Sequence, residues 1–356
     1  MKDNILHVIW VEDNTTIYED VSLLADSYNI QLYPFEHWDD AKNQLSSFYN
    51  KWDAIILDAK CKLNKDSSDN AYRFLPQVFS DLSTLRERNH HLIPWFVLSG
   101  GGAEIAQLND MINEDRLSWD SDWNKTSYYS KGKDEATLFE RICSIAKKSE
   151  TYQIKSCLYP DVFNAIEDTN LNEEVESIML NLLMPIHFGN ISNELYNKEF
   201  ANARKVIEYV YRSMINQGLL PKELKTNKAG KEVVNLSWCT KLLQTEELNE
   251  ATLKVSYSFT VFTKIMGQIV RDILNFTNSF AHSQCEDNKP YKEYNSYHHI
   301  REVEGSPYYL RMIAMGLCDF LIWYGKFYKE HNCYENNLDL WEMNYSALQA
   351  QCKEGK

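Results

Sequence analysis

Five chemically capable positions, far apart in the chain, share one local setting. Glu12 and Asp13 follow the apolar run Ile5 to Val11, and Asp58 closes Trp52-Asp-Ala-Ile-Ile-Leu. Ser99 closes Ile93-Pro-Trp-Phe-Val-Leu, and Lys131 follows Thr126-Ser-Tyr-Tyr-Ser. Three carboxylates crowded into one crevice repel each other, and a hard divalent cation such as Mg²⁺, which takes oxygen ligands and keeps several waters, relieves that repulsion. An ammonium and a hydroxyl opposite them suit a phosphoryl group, the first by charge and the second by hydrogen bonding. The chemistry this set describes is movement of a phosphoryl group onto a carboxylate.

Such a set works only if the strand-like runs lie side by side. Ala54 to Leu57 is continuously apolar between polar flanks, too short for a helix and suited to a strand buried on both faces. Between the runs the apolar residues keep helical spacing. Thr15 or Thr16 can cap a helix carrying Ile17, Val21, Leu24 and Ala25, and Asp39 or Asp40 opens another after the strand Ile30 to Phe35. A polar stretch from Lys60 to Asn70, expected to be mobile, precedes a helix over about 71–86. A short helix is expected at 106–112, and Asp134 starts the last, through Leu138, Ile142 and Ile145. Strand and helix alternate five times, which predicts an α/β, doubly wound, five-stranded parallel sheet whose ligands bind beyond the carboxyl ends of the strands.

These residues resemble the receiver domains of two-component response regulators, a CheY-like family with a flavodoxin-like strand order, over residues 4–148. The resemblance implies that Asp58 is the phospho-acceptor. It implies further that Glu12, Asp13, Asp58 and the backbone carbonyl of Lys60 hold Mg²⁺, that Ser99 and Lys131 assist the transfer, and that Tyr128 is the switch aromatic. A histidine kinase or phosphotransfer protein is then the expected partner. The chain departs from that pattern in the long loop after Asp58, which lacks the usual Pro and Gly, in Gly100-Gly101-Gly102 after Ser99, and in Gly132 where proline is usual.

Residues 151–356 read as an all-α helical bundle, giving two domains, 1–150 and 151–356. Helices are expected near 175–183, 193–217, 236–243, 259–281 and 307–329; the helix over 259–281 is the best patterned, by Phe262, Ile265, Met266, Ile269, Val270, Ile273, Leu274 and Phe280, and that over 307–329 is expected to be central in the bundle. Arg271, Asn275, Asn278 and His282 share the opposite face of the 259–281 helix. A solvated polar face, with His282 near the helix end, is the plainer reading. The sharper one is a resemblance, with Ala203-Arg204-Lys-Val-Ile-Glu208, to the HEPN superfamily, which would make Arg271, Asn278 and His282 an output site. RNA cleavage is not expected, because the positions that would supply the partner arginine are Asn275, Phe276 and Thr277.

Composition sets the outer bounds. The chain of 356 residues carries 37 basic and 51 acidic residues, a formal net charge of −14, which disfavours broad attraction to nucleic acid, and no basic recognition helix for DNA is evident. The longest apolar run, Met312 to Tyr324, is broken by Asp319 and too short to span a bilayer. No signal peptide is evident, and the eight cysteines form no C-x-x-C pair, so a cytoplasmic protein with reduced thiols is expected. The expectation is a switch, not an enzyme: Mg²⁺-dependent phosphoryl acceptance on Asp58 governing a helical output domain with an unidentified partner, dimerisation being open. Two alternatives stand beside it, a phosphorylation-independent scaffold and a receiver-gated, HEPN-like protein directed at RNA.

Overall fold

The computed structural model describes residues 5–66, 71–89, 93–100, 128–171, 173–189, 193–228, 231–250, 253–281 and 308–343. The chain divides into two compact units, Met1–Leu158 and Tyr159–Lys356. The first unit continues past residue 150 through a short turn Glu150–Tyr152, capped by Ser149, and a wide helical turn Gln153–Leu158.

In the first unit β1 (Leu6–Val11), β2 (Ile30–Phe35), β3 (Ala54–Leu57), β4 (Trp95–Ser99) and β5 (Tyr128–Ser130) form one sheet in the order β2-β1-β3-β4-β5, with every pair parallel. Helices α1 (Tyr18–Asp26), α2 (Trp38–Ser47), α3 (Ala71–Asn89) and α4 (Glu135–Ala146) cover it, α1 packing with α4 and α2 with α3. All four residues of β3 are buried, as a central parallel strand between two helical layers requires. Trp10, Trp38, Trp95, Phe96 and Phe139 fill the layers on either side.

Two local readings differ from the sequence expectation. The first helix is led by a 3₁₀ turn, Thr15–Ile17, capped by Asn14, whose side chain accepts the Thr16 N–H at 3.2 Å; neither threonine is the cap. The stretch after Asp58, expected to be mobile, is tied down over residues 61–63. The Trp38 N–H donates to the Lys62 carbonyl at 3.0 Å, the Asp39 N–H to that of Leu63 at 2.9 Å, and Cys61 Sγ to that of Glu36 at 3.2 Å. A polar composition did not prevent this, because backbone groups supply the pairing at Lys62 and Leu63. The expected helix at 106–112 lies outside the described residues.

The second unit is built on α5 (Pro160–Asp168), α6 (Glu173–His187), α7 (Asn193–Asn216), α8 (Leu236–Thr245), α9 (Lys264–Ala281) and α10 (Tyr308–Glu330). The long helix α7 packs against α6, α9 and α10 through Ala203, Val206, Ile207, Val210, Tyr211 and Met214. To this helical frame the structure adds strands the sequence reading lacked: a hairpin of β6 (Lys225–Lys228) and β7 (Lys231–Val234), and an antiparallel sheet of β8 (Glu247–Asn249), β9 (Lys254–Tyr257) and β10 (Trp341–Met343) in the order β10-β9-β8. Each has only three or four residues, too few to show alternation above noise. Helix α9 begins at Lys264, five residues later than expected, and Ile265, placed in its apolar stripe, is 75% exposed. Among the described residues no helix is long and apolar enough to cross a membrane.

Candidate functional site

Parallel register brings the strand ends together. Val11 pairs with Leu57, Leu57 with Val97, and Ser99 with Ser130, so the residues following β1, β3 and β5 emerge at one edge. Backbone bonds carry the alignment past the strands themselves: the Asp58 N–H donates to the Val11 carbonyl at 2.9 Å, and the Lys131 N–H to that of Ser99 at 3.0 Å. From β1 the chain crosses to β2 on one side and then to β3 on the other. Glu12 and Asp58 therefore flank the point where the winding reverses, where an open α/β sheet leaves a crevice.

Side chains of Glu12, Asp13 and Asp58 meet in that crevice, each offering a carboxylate oxygen within 4.8 Å of the others. Lys131 reaches back across β4 and places Nζ 2.6 Å from Glu12 Oε2 and 3.1 Å from Asp58 Oδ1. Glu12 is fully buried, Asp58 nearly so, and Asp13 exposed. The turn holding the acidic pair is itself pinned. The Asn14 N–H donates to Glu12 Oε1 at 3.0 Å, and the Tyr18 hydroxyl donates to the Glu12 carbonyl.

The electrostatics follow from this burial. Desolvation raises the Glu12 carboxyl above its ordinary value, and the Asp58 charge adds to the rise; the Lys131 hydrogen bond and charge offset only part. Desolvation likewise raises Asp58, with Asp13 adding and Lys131 opposing. Burial disfavours the Lys131 ammonium, but its hydrogen bond to Glu12 and the two carboxylate charges outweigh that, so its value is raised too. Three carboxylates against one ammonium leave the crevice two negative charges in excess. A hard oxygen donor set with that excess fits a divalent cation of the Mg²⁺ type, which Glu12, Asp13 and Asp58 would hold.

The other expected positions are placed as follows. Ser99 is buried at the end of β4, beside β3, and Lys60 is exposed in the turn after Asp58. Tyr128 opens β5, and its side chain lies outside the described residues. Gly132 has a φ of +76°, in the left-handed region, so the residue after Lys131 has a conformation closed to proline, and the departure noted from sequence is a turn requirement. In the second unit Arg271 is exposed and donates to Gln244 Oε1; Asn278 belongs to α9, with its side chain outside the described residues, as is all of His282. Sequence reasoning missed Asn14 and Tyr18. Asn14 carries a signal, a capping residue type directly after the acidic pair, whereas nothing in the sequence marks Tyr18.

No protein-family model matches the chain, and no curated protein does. Among solved structures the chain is similar to a crystal structure of a response regulator receiver domain protein from Clostridium thermocellum, at 13% identity and a TM-score of 0.28, covering 40% of this chain and 95% of that one. A likeness at that identity and score assigns no activity. The HEPN-like reading of residues 151–356 gains no support from the comparisons.

Proposed function

We propose that the first unit is a receiver-like signalling module that accepts a phosphoryl group on Asp58, and that the state of Asp58 governs the helical unit. The observation that carries this reading is the Lys131 ammonium lying between Glu12 and Asp58, with Asp13 completing an oxygen cluster at the sheet's switch point. A carboxylate oxygen of Asp58 attacks the phosphorus of a phosphohistidine or a small acyl phosphate. The new bond is P–O to Asp58, and the P–N or P–O bond of the donor breaks. The leaving group keeps the electron pair, and a departing imidazole is protonated by solvent.

Glu12, Asp13 and Asp58 would hold Mg²⁺, which would supply neutralisation of the phosphoryl oxygens. Lys131 and the Ser99 hydroxyl then share the remaining charge by ion pairing and hydrogen bonding. The burial that disfavours the Asp58 anion also shields the acyl phosphate from bulk water. In this reading the protein is a switch, its donor a histidine kinase or phosphotransfer protein.

The test is intact mass of the wild type and Asp58→Asn after incubation with acetyl phosphate and Mg²⁺. One added phosphoryl group on the wild type and none on the variant is the expected result. An unmodified wild type that still binds Mg²⁺ would overturn phosphoryl acceptance and favour a phosphorylation-independent scaffold.

A further inference from the structure

Tyr18 has no place in the phosphoryl chemistry, and its hydroxyl is nevertheless aimed at the acidic pair from the start of α1. The bond it makes is to the backbone carbonyl of Glu12, the peptide group that joins Glu12 to Asp13. Its ring packs on Trp10, with centroids 5.1 Å apart and planes tilted by 53°, and Trp10 is wholly buried in β1. The phenol is thus anchored in the core at one end and holds the turn at the other. The opposite side of that turn is fixed by the Asn14 N–H on Glu12 Oε1 at 3.0 Å. Of the three carboxylates only Asp13 is exposed, so it is the one whose direction depends most on the peptide preceding it.

We infer that Tyr18 is a positioning residue for the divalent cation: its hydroxyl orients the Glu12–Asp13 peptide so that both carboxylates face the crevice. This rests on the reading of Glu12, Asp13 and Asp58 as a cation site. Removing the hydroxyl while keeping the ring frees the carbonyl to rotate without emptying the space beside Trp10. The loss is one hydrogen bond to a backbone carbonyl, and it weakens cation binding about fivefold. The chemistry at Asp58 is not touched.

The experiment compares the full chain with Tyr18→Phe and, as a control, Tyr33→Phe, whose hydroxyl meets His7 Nδ1 at 3.0 Å instead of the acidic pair. Mg²⁺ binding is read by calorimetry and Mn²⁺ binding by electron paramagnetic resonance, with phosphoryl incorporation from acetyl phosphate followed against Mg²⁺ concentration. Tyr18→Phe is expected to raise both dissociation constants about fivefold, to shift the Mg²⁺ dependence by the same factor, and to keep the rate at saturating Mg²⁺. Tyr33→Phe is expected to change none of these. Equal cation affinity in Tyr18→Phe and wild type overturns the positioning role and leaves the site reading intact. A fall in the saturating rate without a change in affinity overturns it as well. A wild type that binds neither cation overturns both, whereas cation binding without phosphorylation, still weakened in Tyr18→Phe, overturns only phosphoryl acceptance.

Discussion

Asp58 and Glu12 are carboxylates placed where ionisation is costly, and Lys131 compensates only in part. With folded values above the ordinary 3.8 of Asp58 and 4.5 of Glu12, the native state binds protons more tightly than the unfolded chain between those values and the raised ones. Stability of the cation-free protein therefore falls as pH rises through that window. Asp58→Asn keeps the shape and removes one of the two titrations, so its stability should fall less from about pH 4 upward. Urea unfolding at a series of pH values measures the difference, and parallel curves would show that burial does not disfavour the Asp58 charge. In the proposed reading this cost has a functional counterpart: the cation and the phosphoryl group would relieve charges that Lys131 leaves uncompensated.

At the scale of elements, α10 shows how the helical unit obtains close crossings. A Cβ on Gly325 would lie 2.7 Å from Ala165 Cβ on α5, and one on Gly316 would lie 2.9 Å from Ile269 Cγ2 on α9. In both places the glycine lets two helices approach more closely than side chains allow. Gly325→Ala would gain about 1 kcal/mol in helix propensity. The new methyl meets another short, rigid side chain with no rotamer to escape into, an overpacking cost of about 1–3 kcal/mol. The clash should win: the unfolding midpoint of the helical unit is expected to drop by roughly 2–4 °C per kcal/mol of net loss, read by circular dichroism. A rise would mean α5 and α10 can separate freely. In the first unit the comparable element-level finding is the pairing of residues 61–63 with 36–39, which fastens the segment after Asp58 to the start of α2.

At the scale of the molecule, the two units have separate apolar cores, one layered on the parallel sheet and the other around α7. Calorimetry of the full chain should resolve two transitions, one for each core. Mg²⁺ at a hundred times its dissociation constant should stabilise one of them by about 2.7 kcal/mol and leave the other in place. Asp58→Asn should reduce that shift. Equal shifts in both transitions would mean that the cation also binds outside the crevice, and a single transition that the units unfold as one.

The sequence by itself determined the parallel sheet, the described helices that cover it and the residues at its edge. Apolar runs such as Ala54 to Leu57 and helical spacings such as Val206, Ile207 and Val210 are local signals, and strand ends follow once the runs are set. The same holds for α7, α8 and α10, whose limits lie close to those expected from the pattern. What only the tertiary structure decided depends on groups distant in the chain or on backbone alone. The double ion pair of Lys131 depends on strand register and on a side chain spanning β4, and the phenol of Tyr18 on how α1 leaves β1. The pinning of residues 62 and 63 uses main-chain groups that every sequence possesses, and the exposure of Ile265 turns on where α9 begins. Periodicity tells which residues share a face; only packing tells what that face meets.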